Sequence, residues 1–137
     1  MLFRSDFDQT LPKVWGRRIT SIFFGGGTPS LMPAEAIDEL LCAVRARMTV
    51  NPDAEITLEA NPGTVEVERF RALRAAGVNR LSLGIQSFND EHLRALGRIH
   101  DAGEARAAIT AAKEYFGNFN LDLMYGLPKQ KIGRAHV

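Results

Sequence analysis

The sequence has 137 residues, of which 45% are hydrophobic and 24% charged, a composition that suits one globular unit with a core and fits neither disorder nor a membrane span. No apolar run approaches the roughly 20 residues a span needs, and the opening MLFRSDFDQT lacks the basic-then-apolar order of a signal peptide, so the cytoplasm is the expected compartment. With 17 basic and 16 acidic side chains the net charge of +1 supplies no field to gather nucleic acid, and a single cysteine, Cys42, excludes an internal disulfide or a multi-cysteine metal site built from this sequence alone.

Leu2, Phe3, Phe7 and Leu11 fall near helical spacing, and Pro12 predicts the end of that helix. Ile19 to Phe24 reads as a strand whose apolar run empties into Gly25, Gly26 and Gly27, then Thr28 and Pro29. Three residues without Cβ allow positive φ and let backbone N–H and C=O groups approach a small molecule, so this loop is the first candidate ligand contact. Pro33 suits the first turn of a second helix, with Ile37, Leu40, Leu41, Val44 and Met48 on one face and Cys42 beside it as a buried or half-buried thiol.

Asn51, Pro52 and Asp53 predict a break before an alternating strand, Glu55 to Ala60. Thr64 can cap a helix carrying Val67, Phe70 and Leu73, which Gly77 stops. The third strand, Arg80 to Ile85, leads into Gln86. Asn89 caps a short helix ending at Gly97, and Asp101 with Glu104 forms a capping-box signature for a helix bearing Ala105, Ala108, Ile109, Ala112 and Phe116. The fourth strand is Phe119 to Met124.

Four strands alternate with helices, their starts about 25 to 40 residues apart, which predicts an α/β fold of parallel strands with right-handed crossovers, half of a (β/α) barrel. In such a barrel the strand exits form the active face. Gly26, Gly27, Thr28, Glu59, Gln86 and Asp122 all fall at those exits. Each has an ordinary structural reading: Glu59 as a helix-start carboxylate, Gln86 as a turn former, Asp122 as a strand residue bonded to backbone. Their gathering on one rim is the functional signal.

GGGTPSL, ITLEANPGT, GVNRLSLGIQSF, LGRIHD and NLDLMYGLP, in this order, closely resemble the radical S-adenosylmethionine proteins grouped with oxygen-independent coproporphyrinogen III oxidase, with EANPGT and LGRIH nearest the group's haem-chaperone branch. The resemblance runs from about Leu2 to Gln130. It implies a six-stranded partial barrel of which about four βα units, the second to fifth strands, are present. It also implies S-adenosylmethionine as cofactor, held by Gly26, Gly27, Thr28, Glu59, Gln86, Arg98 and Asp122. The chemistry is consistent: the ligand offers an ammonium, a carboxylate and a ribose diol, for which carboxylates, an amide, an arginine and loop backbone groups are partners. Haem or a porphyrin, and a haem-accepting protein, are the partners implied for the full-length protein.

The family's CxxxCxxC loop, which holds a 4Fe-4S cluster, has no counterpart here. Cluster ligation wants several thiolates, so the cluster is expected only in a longer parent protein and the sequence as it stands is expected to be inactive. Lys131 to Val137, KIGRAHV, departs from the family pattern and reads as a non-native tail beyond a partial barrel spanning residues 1–130. Two other readings stay open. One is a stand-alone module that binds S-adenosylmethionine or haem without radical chemistry. The other is a segment of an ordinary barrel enzyme whose glycine loop holds phosphate, although no lysine follows that loop.

Overall fold

A computed structural model describes residues 2–64, 67–127 and 129–130; the tail expected over 131–137 lies outside them. Helix α1 (Leu2–Val14) leads to strand β1 (Arg18–Phe24), a 3-10 turn (Pro29–Leu31) and α2 (Ala34–Arg45). Strand β2 (Thr49–Ala60) is followed by a second 3-10 turn (Pro62–Thr64) and α3 (Val67–Ala75). Then come β3 (Arg80–Gln86), α4 (Asp90–Ala95), α5 (Ala102–Tyr115) and β4 (Phe119–Leu123). The four strands form one sheet in the order β1-β2-β3-β4, every pair parallel, which is the expected partial barrel.

The local signals for the starts of α4 and α5 and for the stops at Gly77 and Gly97 act as read, while the cap expected from the Thr64 side chain lies outside what is described. Asp101 accepts from the Glu104 N–H at 2.8 Å while Glu104 accepts from the Asp101 N–H at 2.9 Å, a complete capping box for α5. Asn89 caps α4 by accepting from the N–H groups of Glu91 and His92. Gly77 and Gly97 take φ of +108° and +68°, where a side chain would strain the backbone.

Three expectations are corrected. Helix α1 passes through Pro12 to Val14. The bond lost there is the one Pro12 would donate to the Asp8 carbonyl, on an exposed turn where water can replace it. The Asp8 carboxylate meanwhile pairs with Arg47 Nε at 2.7 Å, tying the helix to the turn that follows α2. Strand β2 begins at Thr49 rather than Glu55 and includes Pro52. Between the pairs Ile19–Val50 and Ser21–Glu55 the register slips, so Pro52 falls in a bulge where no ladder N–H is required. Cys42 is exposed, its Sγ 3.9 Å from Asp38 Oδ1, because the helical step that buries Leu41 turns the next residue outward.

The sheet has two unlike faces. Ile56, Leu58, Leu81, Leu83 and Ile85 point to the helix layer and pack against Ile37, Leu41, Phe70, Leu73 and Phe116. The Phe70 and Phe116 rings meet edge to face with centroids 6.0 Å apart. On the other face, strand register sets Phe23 beside Thr57, Thr57 beside Arg80, Glu59 beside Ser82, and Ser82 beside Asn120. The helices leave this face open, and at the carboxyl ends of the strands it becomes the rim.

Candidate functional site

The glycine loop and the second strand exit are joined directly. Gly26 and Gly27 adopt φ of +84° and +61°, and in that conformation the Gly26 N–H donates to Glu59 Oε2 at 3.0 Å. The carboxylate thus occupies the spot where the loop offers a backbone donor, which argues against phosphate there, since two anions would compete for it. At the next position on the rim, Asn61 Nδ2 donates to Thr28 Oγ1 at 3.5 Å, and Asn61 Oδ1 accepts from Arg98 Nη2 at 3.3 Å.

Arg98 reaches the rim from the connector after α4. Its Nη2 also donates to the Gly84 carbonyl at 3.3 Å. Its Nε is buried with no hydrogen-bond partner among the described residues, a donor left over where such groups are nearly always satisfied. Gly84 explains how the guanidinium gets so close. A Cβ there would lie 3.0 Å from Arg98 Nη2, 3.0 Å from Asn61 Oδ1 and 3.2 Å from Gln86 Nε2, so the absence of a side chain makes the space these groups share.

Gln86 is aimed by an irregularity in the sheet. Between the pairs Leu83–Leu121 and Gln86–Leu123, β3 spends one more residue than β4, and Gln86 takes φ of +65° while its carbonyl accepts from the Met124 N–H at 2.9 Å. A bulge and a left-handed glutamine at a strand exit are the kind of strain that functional sites keep. Buried His100 braces the same exit: its Nε2 lies 3.1 Å from the Ile85 carbonyl, which can only accept, so Nε2 carries the proton. Asp122, on β4, accepts from Ser82 Oγ at 2.9 Å.

Between these groups lies a cavity of about 240 Å³ lined by Gly27, Pro29, Glu59, Ala60, Asn61, Ser82, Gly84, Gln86, Arg98 and Asp122. Five of the seven residues expected from the sequence therefore share one wall: Gly27, Glu59, Gln86, Arg98 and Asp122. Gly26 and Thr28 face instead an apolar groove of about 480 Å³ shared with Phe23, Met32 and Leu40, which meets the cavity at Pro29. The cavity is smaller than the roughly 300–1,000 Å³ usual for a cofactor, so it suits one end of a ligand whose remainder would extend beyond it. A larger hollow of about 660 Å³, among Arg45, Arg74 and Thr49, sits where β2 begins, away from the rim. Asn61, Ser82 and Gly84 were not singled out in the sequence. A glycine inside RLSLGI was the available signal for Gly84, because a strand interior rarely spends one without a close approach.

The Radical SAM superfamily profile matches residues 6–135. Heme chaperone HemW of Escherichia coli is 52% identical over 132 residues, which cover 96% of this chain and 35% of that protein. The mitochondrial Radical S-adenosyl methionine domain-containing protein 1 of Bos taurus is 46% identical over 127 residues, 91% of this chain and 29% of that protein. Among solved structures, coproporphyrinogen III oxidase HemN from Escherichia coli, a radical SAM enzyme, superposes with a TM-score of 0.81 at 38% identity, over 93% of this chain and 30% of its own. The archaeal Elp3 of Methanocaldococcus infernus shares the fold at a TM-score of 0.70 and 21% identity. The chain spans about a third of the length of the curated relatives it matches. With a profile running over nearly all of its length and the same parallel sheet found in HemN, the chain belongs to the Radical SAM superfamily.

Proposed function

We propose that this chain is the S-adenosylmethionine-holding part of a protein of the haem-chaperone and coproporphyrinogen-oxidase group, acting on haem or a porphyrin in the cytoplasm, with a haem-accepting protein as a further partner. The observation that carries the reading is the pairing, in one cavity, of a buried donor with no partner among the described residues, Arg98 Nε, with the acceptor-only carboxylates Glu59 and Asp122. S-Adenosylmethionine offers both halves of that match, a carboxylate for the arginine and ammonium and hydroxyl donors for the carboxylates. Gly84 and the left-handed Gln86 keep the space open for it.

When bound, this cofactor supplies the reactive sulfonium on which the superfamily's radical chemistry depends. The residues present do not fit the 4Fe-4S cluster that accompanies it in the superfamily. The sequence has one cysteine, exposed on α2, and among the described residues no three His, Cys, Asp or Glu side chains gather as a metal site. The part assigned to this chain is therefore to bind and orient the cofactor. No helix among the described residues is long and apolar enough to cross a membrane.

Calorimetric titration with S-adenosylmethionine tests the reading. Glu59→Ala and Arg98→Ala each remove a charge-assisted hydrogen bond of about 1.5–3 kcal/mol and are expected to weaken binding roughly tenfold to a hundredfold. Unchanged affinity in both variants would make these residues structural and the assignment wrong.

A further inference from the structure

Asp122 sits at the end of a directed chain of side-chain hydrogen bonds that crosses the open face of the sheet. It starts at Arg80, whose Nη1 is held by Glu55 Oε1 and Thr57 Oγ1, both at 3.3 Å, and whose Nη2 donates to Asn120 Oδ1 at 2.6 Å. A guanidinium can only donate, so this bond fixes which end of the Asn120 amide faces Arg80. The amide nitrogen must then point the other way. There it donates to Asp122 Oδ1 at 2.7 Å and to Ser82 Oγ at 3.1 Å. Ser82, having accepted that bond, turns its own proton to Asp122 Oδ2 at 2.9 Å.

Each oxygen of Asp122 thus receives one fixed donor from the sheet, and the carboxylate is held against rotation with its remaining lone pairs available to the cavity. We propose that Arg80, Asn120 and Ser82 are positioning residues that set the orientation of Asp122 toward donors of the bound ligand. Only Ser82 lines the cavity among the three, so Arg80 and Asn120 act through Asp122 rather than by touching the ligand. The proposal rests on the reading of the cavity as an S-adenosylmethionine site.

The test is a double-mutant cycle read as S-adenosylmethionine affinity. The complete chain is exchanged for the matching segment of Escherichia coli HemW, so that the sheet is measured in a full-length protein. Asn120→Ala and Ser82→Ala are each expected to weaken binding about tenfold. Asn120→Asp, equal in size, is expected to weaken it further, because it keeps the bond from Arg80 but presents an acceptor to Asp122. All three losses should vanish in an Asp122→Ala background. Losses that persist there, or Asn120→Asp binding as tightly as the parent, would overturn the proposal, since a side chain that merely fills space tolerates its isostere. If Asp122→Ala binds normally while Glu59→Ala and Arg98→Ala do not, the proposal falls and the cofactor site stands. If none of the three affects binding, both fall.

Discussion

The two faces of the one sheet are built by different rules. Toward the helices, Leu58, Leu81, Leu83 and Ile85 are fully buried and their contacts are apolar and non-directional. Toward the open side, those strands and β4 carry Glu59, Arg80, Ser82, Asn120 and Asp122, whose contacts are hydrogen bonds with a sense of direction. Alternation along a strand assigns every second residue to each face, so the face that makes the fold stable and the face that carries the candidate site are interleaved residue by residue. The consequence is that changes at adjacent positions should separate stability from binding cleanly.

The largest separation is expected at Leu83, between Ser82 and Gly84. Leu83→Ala opens a cavity in a fully buried site and should cost about 2–5 kcal/mol of stability, read from chemical denaturation, while leaving S-adenosylmethionine affinity within about threefold. A comparable loss of affinity would mean that the two faces are coupled through the strand.

What the sequence made legible follows the same division. Apolar periodicity and capping residues are local, so the order of elements, the capping box at Asp101 and the stops at Gly77 and Gly97 could be read without a structure. The strand exits were legible for the same reason, and four of the six residues read there, Gly27, Glu59, Gln86 and Asp122, meet in one cavity, whereas Arg98, which joins them, was implied only by the family resemblance. The links among them were not. Glu59 finds the Gly26 N–H across 33 residues and Ser82 finds Asp122 across 40, distances over which no periodicity speaks. Pro12 and Pro52 misled because a missing donor matters only where the neighbouring acceptor has no substitute, and an exposed helix turn and a bulge both provide one.

A smaller effect on stability, with a large one on binding, is expected at Gly84. The groups a Cβ would meet at 3.0–3.2 Å are the ends of Arg98, Asn61 and Gln86, which can move, rather than backbone. Gly84→Ala should therefore change stability by about 1 kcal/mol or less yet displace the arginine enough to lose a charge-assisted bond, roughly tenfold or more in affinity. Tight binding by this variant would show that Arg98 reaches the ligand without the space Gly84 leaves.

The least change is expected where the sequence suggested a large one. Phe23 and Phe24 stand side by side in a run that reads as core, and the run alone gives no reason to treat them differently. In the fold Phe24 turns to the helices and packs against the core cluster, whereas Phe23 turns to the open face beside Thr57 and is 59% exposed. Its ring lies over Gly25, where a Cβ would come within 2.5 Å of Cε1, so what it covers is loop backbone and the edge of the apolar groove. With less than half of the ring removed from water, Phe23→Ala should cost about 1 kcal/mol or less in this chain, against the roughly 1.5–3 kcal/mol that full burial of a phenylalanine is worth. Phe24→Ala should cost more, because it also leaves a void against packed neighbours. The two variants, melted side by side, compare one residue type on two faces of one strand. Equal losses would mean that Phe23 is as much a part of the core as its neighbour, and that the division between the faces fails at β1.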